Sequence, residues 1–322
     1  MIKNLTSIKN FKEGLSVKGF FLCTEKHLRH TRGGDLFFDI ELRDMTGHIT
    51  AKIWNNIETL DSKFKSGNAV AISGVTESFK GKLQLIIKKI NKATVQHYGR
   101  YGFDPGLIVP KSSKDPQAMW TQIVSIINTI QGKNKKHLTK SIFKKFKKQI
   151  MYYPASINNH YNFRSGFLEH LVMICKLVNK IGPMYNMDQG LLMTGILLYD
   201  IGVIKEINSN YEFDYTDEGR LIGRRVLGND IINDFAKNMK NFPKEILVKL
   251  NHIVLSGIIS NKNEKLKFPS FPEAILINMI ISFDIQMNIM NNIIKEDQEK
   301  ENFTNKFNYY GIPIMKNNLS KN

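Results

Sequence analysis

The segment 133–150 carries the densest run of side chains suited to binding phosphate. It contains Lys133, Lys135, Lys136, Lys140, Lys144, Lys145, Lys147 and Lys148, and no acidic residue. Ile142, Phe143, Phe146 and Ile150 recur at helical spacing, which predicts one amphipathic helix with the lysines on its polar face. Uncompensated lysines bind phosphates by releasing counterions. We therefore take Lys136, Lys140, Lys144, Lys145, Lys147 and Lys148 as nucleic-acid-binding candidates; the alternative is a solvated helix face.

A second set of candidates combines aromatic rings with cations in the N-terminal third. The rings are Phe21, Phe38, Trp54 and Phe79, and the cations near predicted loops are Lys26, Arg29, Arg32, Lys52, Lys80 and Lys82. Bases of single-stranded nucleic acids stack on such rings beside basic grooves. The alternative for any one ring is burial in the core, because strand periodicity does not say which rings face outwards.

Short apolar runs separated by turn residues predict that this third is a β-barrel. The runs predict strands over 15–24, 36–42, 49–54, 69–75 and 82–90, with a short helix over 57–64. Five strands with a helix between the third and fourth match the OB barrel. The stretch 37–54, FFDIELRDMTGHITAKIW, is similar to the hairpin of strands 2 and 3 in nucleic-acid-binding OB domains.

Composition limits the class of protein. The chain has 322 residues and a net charge of +17, which favours a polyanionic partner. The alternative is that an AT-rich genome, which encodes many lysines, produced the excess without selection for binding. Two cysteines exclude a disulfide scaffold and a cysteine-based zinc site. No apolar run approaches the roughly 18–20 residues that span a bilayer. We expect a cytoplasmic protein that does not bind membranes.

The rest of the chain predicts a linker and an α-helical domain. Residues 98–117 are rich in glycine and proline, and Ser113 or Asp115 is placed to cap a helix with Pro116 in its first turn. Helices are predicted over 119–130, 133–150, 166–181, 188–204, 217–240, 244–260 and 271–294. The expected organisation is an OB domain at 1–97, a linker at 98–117, an all-α domain at 118–294 and a tail at 295–322.

Three motifs in the helical part resemble those of HD-domain metal phosphohydrolases. They are RSGFLEH at 164–170, LLYDIG at 197–202 and YTDEGRLIG at 215–223. The combination with a barrel resembles the YhaM-type 3′–5′ exoribonucleases, which join an OB domain to an HD domain, and it extends over almost the whole chain. The resemblance implies a divalent ion, Mn or Mg, that activates water against a phosphodiester.

Matching residue by residue, the resemblance gives an incomplete set of ligands. His170, Asp200 and Asp284 match family ligands, and His160 matches a further histidine. Several other family positions are replaced: Tyr161, Tyr199, Val203, Arg224, Gly257, Ile258, Asn278 and Ile281 stand where the family has different residues, mostly histidines. Arg224 would repel a divalent ion and is a candidate for contacting a phosphate directly.

These replacements predict a degenerate HD domain without a cofactor. The leading hypothesis is an inactive protein that binds single-stranded RNA or DNA, with RNA favoured, and that could form homo-oligomers. The alternative is an active exonuclease with one Mn or Mg ion held by His170, Asp200 and Asp284. A third reading is a regulatory module that senses a nucleotide. If no metal binds, His170, Asp200 and Asp284 should pair with each other, with Tyr199 or with Arg224.

Overall fold

The computed structural model describes residues 6–31, 33–209, 213–257, 267–297 and 301–316. Two compact units are distinguished: the chain up to Lys111 together with Ser209 and Phe213 forms the first, and Ser112–Asn208 with the described residues from Asp214 onwards forms the second. The strands are β1 (Ser16–His30), β2 (Leu36–Asp44), β3 (Gly47–Ile53), β4 (Ala69–Phe79), β5 (Lys82–Lys92), β6 (Ile207–Ser209) and β7 (Phe213–Tyr215). The helices are α1 (Ile57–Asp61), α2 (Val95–Tyr98), α3 (Pro116–Thr129), α4 (Lys133–Lys145), α5 (Lys147–Tyr152), α6 (Gly166–Ile181), α7 (Gln189–Leu198), α8 (Val203–Glu206), α9 (Asp217–Leu221), α10 (Arg224–Lys237), α11 (Lys244–Leu255) and α12 (Pro272–Glu296).

The first unit is a closed barrel with the strand order β1-β2-β3-β5-β4, and β1 pairs with β4 to close it. The predicted five-stranded OB barrel is confirmed. Alternate residues fill its interior: Phe38, Ile40 and Leu42 of β2 point inwards, because successive side chains of a strand alternate between its faces. The first strand is longer than predicted and includes Arg29, which we had placed in a loop.

The predicted linker is not an extended tether. Phe103, Ile108 and Val109 are buried in one cluster with Leu22 and Ala69 of the barrel. Asp115 caps α3 by accepting hydrogen bonds from the amides of Gln117 and Ala118, with Pro116 in the first turn, as the sequence indicates. The main boundary between the two units therefore lies between Lys111 and Ser112, and α3 begins soon after it.

The second unit is mainly helical, with two corrections to the predicted elements. The strands β6 and β7 form a small sheet inside the part predicted to be all-α. Three predicted helices are each divided: 133–150 breaks at Phe146, 188–204 breaks at residues 199–202, and 217–240 breaks at Gly223. Gly223 has a φ of 83°, a left-handed conformation that glycine adopts without strain. This break lets α10 begin at Arg224.

The helix α12 corrects our statement that no segment is long enough to cross a membrane. By length and composition, Pro272–Lys295 meets that criterion. It packs against α6 and α7, and its buried face carries the polar residues Asn278 and Asp284. A core helix of a globular unit has these properties, and a polar buried face suits contact with protein better than contact with lipid.

Candidate functional site: a basic aromatic surface on the barrel and a buried charge cluster in the helical unit

The outer face of β2 and β3 carries a ring platform with a cation beside it. Trp54, which follows β3, is 42% exposed and stacks on Phe37 of β2 with ring centroids 4.7 Å apart. The Lys52 ammonium lies 4.8 Å from the Phe37 centroid and 6.0 Å from that of Trp54. We call Phe37, Lys52 and Trp54 the barrel platform. The face formed by strands 2 and 3 is where OB barrels take up nucleic acid.

The other nucleic-acid-binding candidates on the barrel differ in their exposure and in their partners. Phe38 is a correction: it is 1% exposed and belongs to the barrel core, as does Phe21, so neither ring can stack on a base. Arg29 pairs with Asp39 at 2.9 Å on the platform face. Lys80 and Lys82 are exposed beside Phe79, which is 54% exposed at the turn between β4 and β5. Arg32 lies outside the described residues.

The lysines of α4 and α5 form an exposed basic face with one exception. Lys133, Lys140, Lys144, Lys145, Lys147 and Lys148 are exposed, and Lys136 is half-buried. Lys135 differs because it is buried and its ammonium lies 2.6 and 2.9 Å from the two carboxylate oxygens of Asp188, the residue that caps α7. Lys135 therefore joins two helices and is not available to a phosphate.

The helical unit brings the histidine and carboxylate candidates together around Arg224. Its guanidinium is 2.7 Å from Glu206, donates to the Ala155 carbonyl at 2.8 Å, and lies 3.5 Å from Asp200. We call Arg224, Asp200 and Glu206 the arginine cluster. Glycine at position 202 allows the chain before α8 to pack closely on α10, which carries Arg224. A Cβ at that position would lie 2.0 Å from the backbone carbonyl oxygen of Arg224. Asp200 and Glu206 raise the pKa of Arg224 against the opposing effect of burial, so it stays charged.

A second group surrounds Asp284 on α12. Its carboxylate lies 2.7 Å from Nδ1 of His170 and accepts a hydrogen bond from the Tyr161 hydroxyl at 3.3 Å. Burial, with Asp284 beside it, raises the pKa of Tyr161, so this phenol remains protonated. His160 lies next to His170, with ring centroids 5.9 Å apart. Burial, then the nearby His170 and Arg224, lower the pKa of His160 to about 3, so it is neutral.

Three more of the residues that the sequence resemblance marks as replacements have buried partners in the structure. The hydroxyl of Tyr199 donates to Asn278 at 3.0 Å and accepts from Arg225 at 2.9 Å, so two of the replaced positions pair with each other. Burial raises the pKa of Tyr199, which keeps its proton for that bond. The third of these residues, Arg224, pairs with Asp200 and Glu206 in the arginine cluster. Ile258, a further replaced position, lies outside the described residues.

These contacts decide whether the residues fit a divalent ion. Both oxygens of Asp284 are engaged, and Asp200 faces a fixed cation in Arg224. Nε2 of His160 and of His170 are buried and have no hydrogen-bond partner among the described residues, and one Asp200 oxygen lies 4.0 Å from the His170 Nε2. Within the same part of the chain, no three His, Cys, Asp or Glu side chains converge as ligands. In this arrangement the described residues do not fit a divalent metal, because the Arg224 guanidinium already lies on the carboxylate of Asp200.

Two of the residues that decide this arrangement were missed from the sequence. Glu206 is the main partner of Arg224, but no motif marks it, and the two residues meet only through the packing of α8 on α10. Arg225 was missed although it follows Arg224 directly. Phe37 was missed as the support of Trp54, although it lies in the same hairpin motif. Conversely, Arg224 is held by carboxylates and a carbonyl, which leaves little of it for a phosphate.

Comparisons with known proteins agree with the OB barrel and with the resemblance noted from the sequence. Residues 24–93 match the model of the OB-fold nucleic acid binding domain. The 3′–5′ exoribonuclease YhaM of Halalkalibacterium halodurans is 28% identical, covering 90% of each chain. Its namesake in Listeria monocytogenes is 25% identical, covering 91% of this chain and 92% of its own. A domain of replication protein A from Methanococcus maripaludis aligns with 27% of this chain and 92% of its own, at 22% identity and a TM-score of 0.24. The resemblance to the YhaM-type exoribonucleases is thus confirmed over about nine-tenths of the chain.

Proposed function

We propose that this protein binds single-stranded RNA on its barrel and does not hydrolyse it. The observation that carries the proposal is the barrel platform, in which an exposed indole is supported by Phe37 and accompanied by the Lys52 ammonium. A supported ring of this kind offers a base a flat face of fixed orientation, and the ammonium neutralises the adjoining phosphate. RNA is preferred over DNA because the curated relatives are named exoribonucleases.

The platform is tested by Trp54→Ala. We expect its dissociation constant for a labelled single-stranded RNA 20-mer to rise by about 5- to 150-fold, since one base stack contributes roughly 1–3 kcal/mol. Fluorescence anisotropy at fixed salt measures it, and Trp54→Phe should recover part of the affinity. The matched control is Tyr185→Ala, which removes another exposed ring, 58% exposed, from the helical unit. Equal affinity of Trp54→Ala and Tyr185→Ala would contradict the proposal.

The absence of hydrolysis is proposed from the arginine cluster. Because Arg224 occupies the carboxylate that a divalent ion would need, we expect Mn²⁺ at millimolar concentration to leave both the melting temperature and the length of a 5′-labelled RNA unchanged. Elemental analysis of the purified protein should find much less than one equivalent of metal. A stoichiometric ion, or stepwise shortening of the RNA that Asp200→Ala abolishes, would contradict this part.

A specific observation favours one other function, that of a hydrolase with one metal. His170 is oriented by Asp284 through Nδ1 while its Nε2 is unpartnered, and the Nε2 of His160 is unpartnered as well. A carboxylate that orients a histidine in this way is common behind metal ligands. The RNA and metal measurements above separate the two functions.

A further inference from the structure

The helical unit contains a cavity of about 310 Å³ whose wall does not include the arginine cluster. Its walls come from the loop before α6, the C-terminal half of α12 and the segment 301–316. The residues that matter for its chemistry are Asn158, Asn159, Asn162, Phe307 and Tyr309. Neither the barrel platform nor the replaced metal positions contribute to it, so neither explains it.

Three side-chain amides that line this cavity make no hydrogen bond to the described part of the chain. The side chains of Asn158, Asn159 and Asn162 are exposed, and they make no hydrogen bond among the described residues. Asn308, on the opposite side, shows what a structural amide does: it donates to the carbonyls of Asn305 and Ile312 and so closes its own segment. The three amides of the loop therefore offer both donors and acceptors to a ligand.

Two exposed aromatic rings stand on the other side. Phe307 is 87% exposed and Tyr309 is 59% exposed. Their segment is nevertheless folded, because the Thr304 amide donates to the Ile314 carbonyl at 2.9 Å and the Tyr310 hydroxyl bonds to Gln286 of α12. The rings are therefore held in the solvent by an ordered segment. Such rings are typical of surfaces that bind a ligand or partner.

The charges around the cavity argue against a metal ion or a bare phosphate as its ligand. The one carboxylate in its wall, Asp297, is ion-paired with Lys316. A metal ion would need several carboxylates or imidazoles, and a bare phosphate would need clustered cations. Neutral amides opposite aromatic faces suit a planar heterocycle with its own donors and acceptors. Lys306, whose ammonium lies 5.8 Å from the Phe307 ring, is placed for a phosphate attached to that heterocycle.

We propose that this cavity binds one unpaired base of a single-stranded nucleic acid. Phe307 stacks on the base, and the amides of Asn158, Asn159 and Asn162 pair with its edge. The inference rests on the proposed function, because it supplies a second contact for the strand that the barrel platform holds. It differs from that function in placing base recognition in the helical unit.

The first test is Phe307→Ala in the full chain. Its dissociation constant for the single-stranded RNA 20-mer should rise by about 5- to 150-fold, the range for loss of one stacked base. Asn162→Ala should weaken binding in the same direction, and Phe307→Trp should retain it. The matched control is Ile312→Ala, which removes a side chain of the same segment that is 58% exposed and does not line the cavity. If Phe307→Ala binds as tightly as Ile312→Ala, the proposal is wrong.

A direct test separates failure of this inference from failure of the proposed function. Saturation-transfer NMR with adenosine 5′-monophosphate is recorded on Trp54→Ala, in which the barrel platform is disabled. We expect saturation of the adenine protons, its loss when Phe307→Ala is added, and none for ribose 5-phosphate. Equal adenine signals with and without Phe307, or no signal in either protein, overturn the base pocket even where the Trp54→Ala affinity supports the barrel. If RNA does not bind the unmodified chain, the proposed function is wrong. The adenine signals still show whether the cavity binds a base.

Discussion

Arg224→Met is expected to lower the free energy of unfolding of the helical unit by about 3–5 kcal/mol, the usual cost of removing one partner from a buried ion pair. The substitution keeps much of the side-chain volume but leaves Asp200 and Glu206 without a cation. Their side chains are only 13% and 12% exposed, so water compensates little of the lost charge. Urea unfolding followed by helical circular dichroism measures the change, since the barrel contributes little to that signal.

The control for this prediction lies on the neighbouring helix. Arg220 pairs with Asp214 at 2.6 Å, but both side chains are more than half exposed. Arg220→Met should therefore cost less than about 1 kcal/mol. Equal losses in the two variants would mean that the arginine cluster is solvated and contributes nothing particular to the fold.

Two further variants distinguish charge from shape. Arg224→Lys keeps the charge but loses the planar donor set that contacts Glu206 and Ala155 together, so it should lie between the native protein and Arg224→Met. Adding Glu206→Gln to Arg224→Met removes one stranded charge and should recover part of the loss. Recovery in the double variant would show that the cost comes from an uncompensated carboxylate.

The arginine cluster also accounts for how the buried polar groups of the helical unit are compensated. Its guanidinium neutralises Asp200 and Glu206. Asp284 is then free to bond His170 and Tyr161, and Tyr199 pairs with Asn278. Tyr161, Tyr199, Arg224 and Asn278 therefore each have a hydrogen-bond or ion-pair partner, which is the condition for keeping polar groups in a core.

The barrel was predictable because strand alternation is a local signal. Phe38, Ile40 and Leu42 are apolar and two residues apart, so their phase alone places the Phe38 ring inside the barrel and not on its binding face. The helix α6 has the predicted bounds because a strong apolar periodicity runs through it. The break at Gly223 was missed since helical spacing continues on both sides of it.

The pairing within the helical unit was only partly predictable. The sequence indicated that His170, Asp200 and Asp284 would pair among themselves, with Tyr199 or with Arg224, and contacts of this kind are present. It could not indicate Glu206, because the contact depends on how α8 packs on α10. Nor could it assign separate partners to Arg224 and Arg225, since adjacent residues of a helix point about 100° apart and only the packing decides what each one meets.

The exposed lysines of α4 and α5 lead to a prediction about salt. If Lys144, Lys145, Lys147 and Lys148 each contact a phosphate, changing all four to Gln lowers the slope of log affinity against log salt by about 0.7 per contact, or ~2.8 in total. The corresponding loss of affinity at 0.1 M salt is up to roughly 600-fold. Titrations of the single-stranded RNA at several salt concentrations give both quantities.

The control for the lysine face changes the net charge by the same amount. Lys176, Lys180, Lys244 and Lys295 are exposed on α6, α11 and α12, and their replacement by Gln removes the same net charge from other helices. Equal slopes in the two quadruple variants would mean that the lysines of α4 and α5 form an ordinary solvated surface. A smaller slope for the α4–α5 variant alone would mean that the RNA contacts this face directly, because only direct phosphate contacts release the counterions that the slope counts.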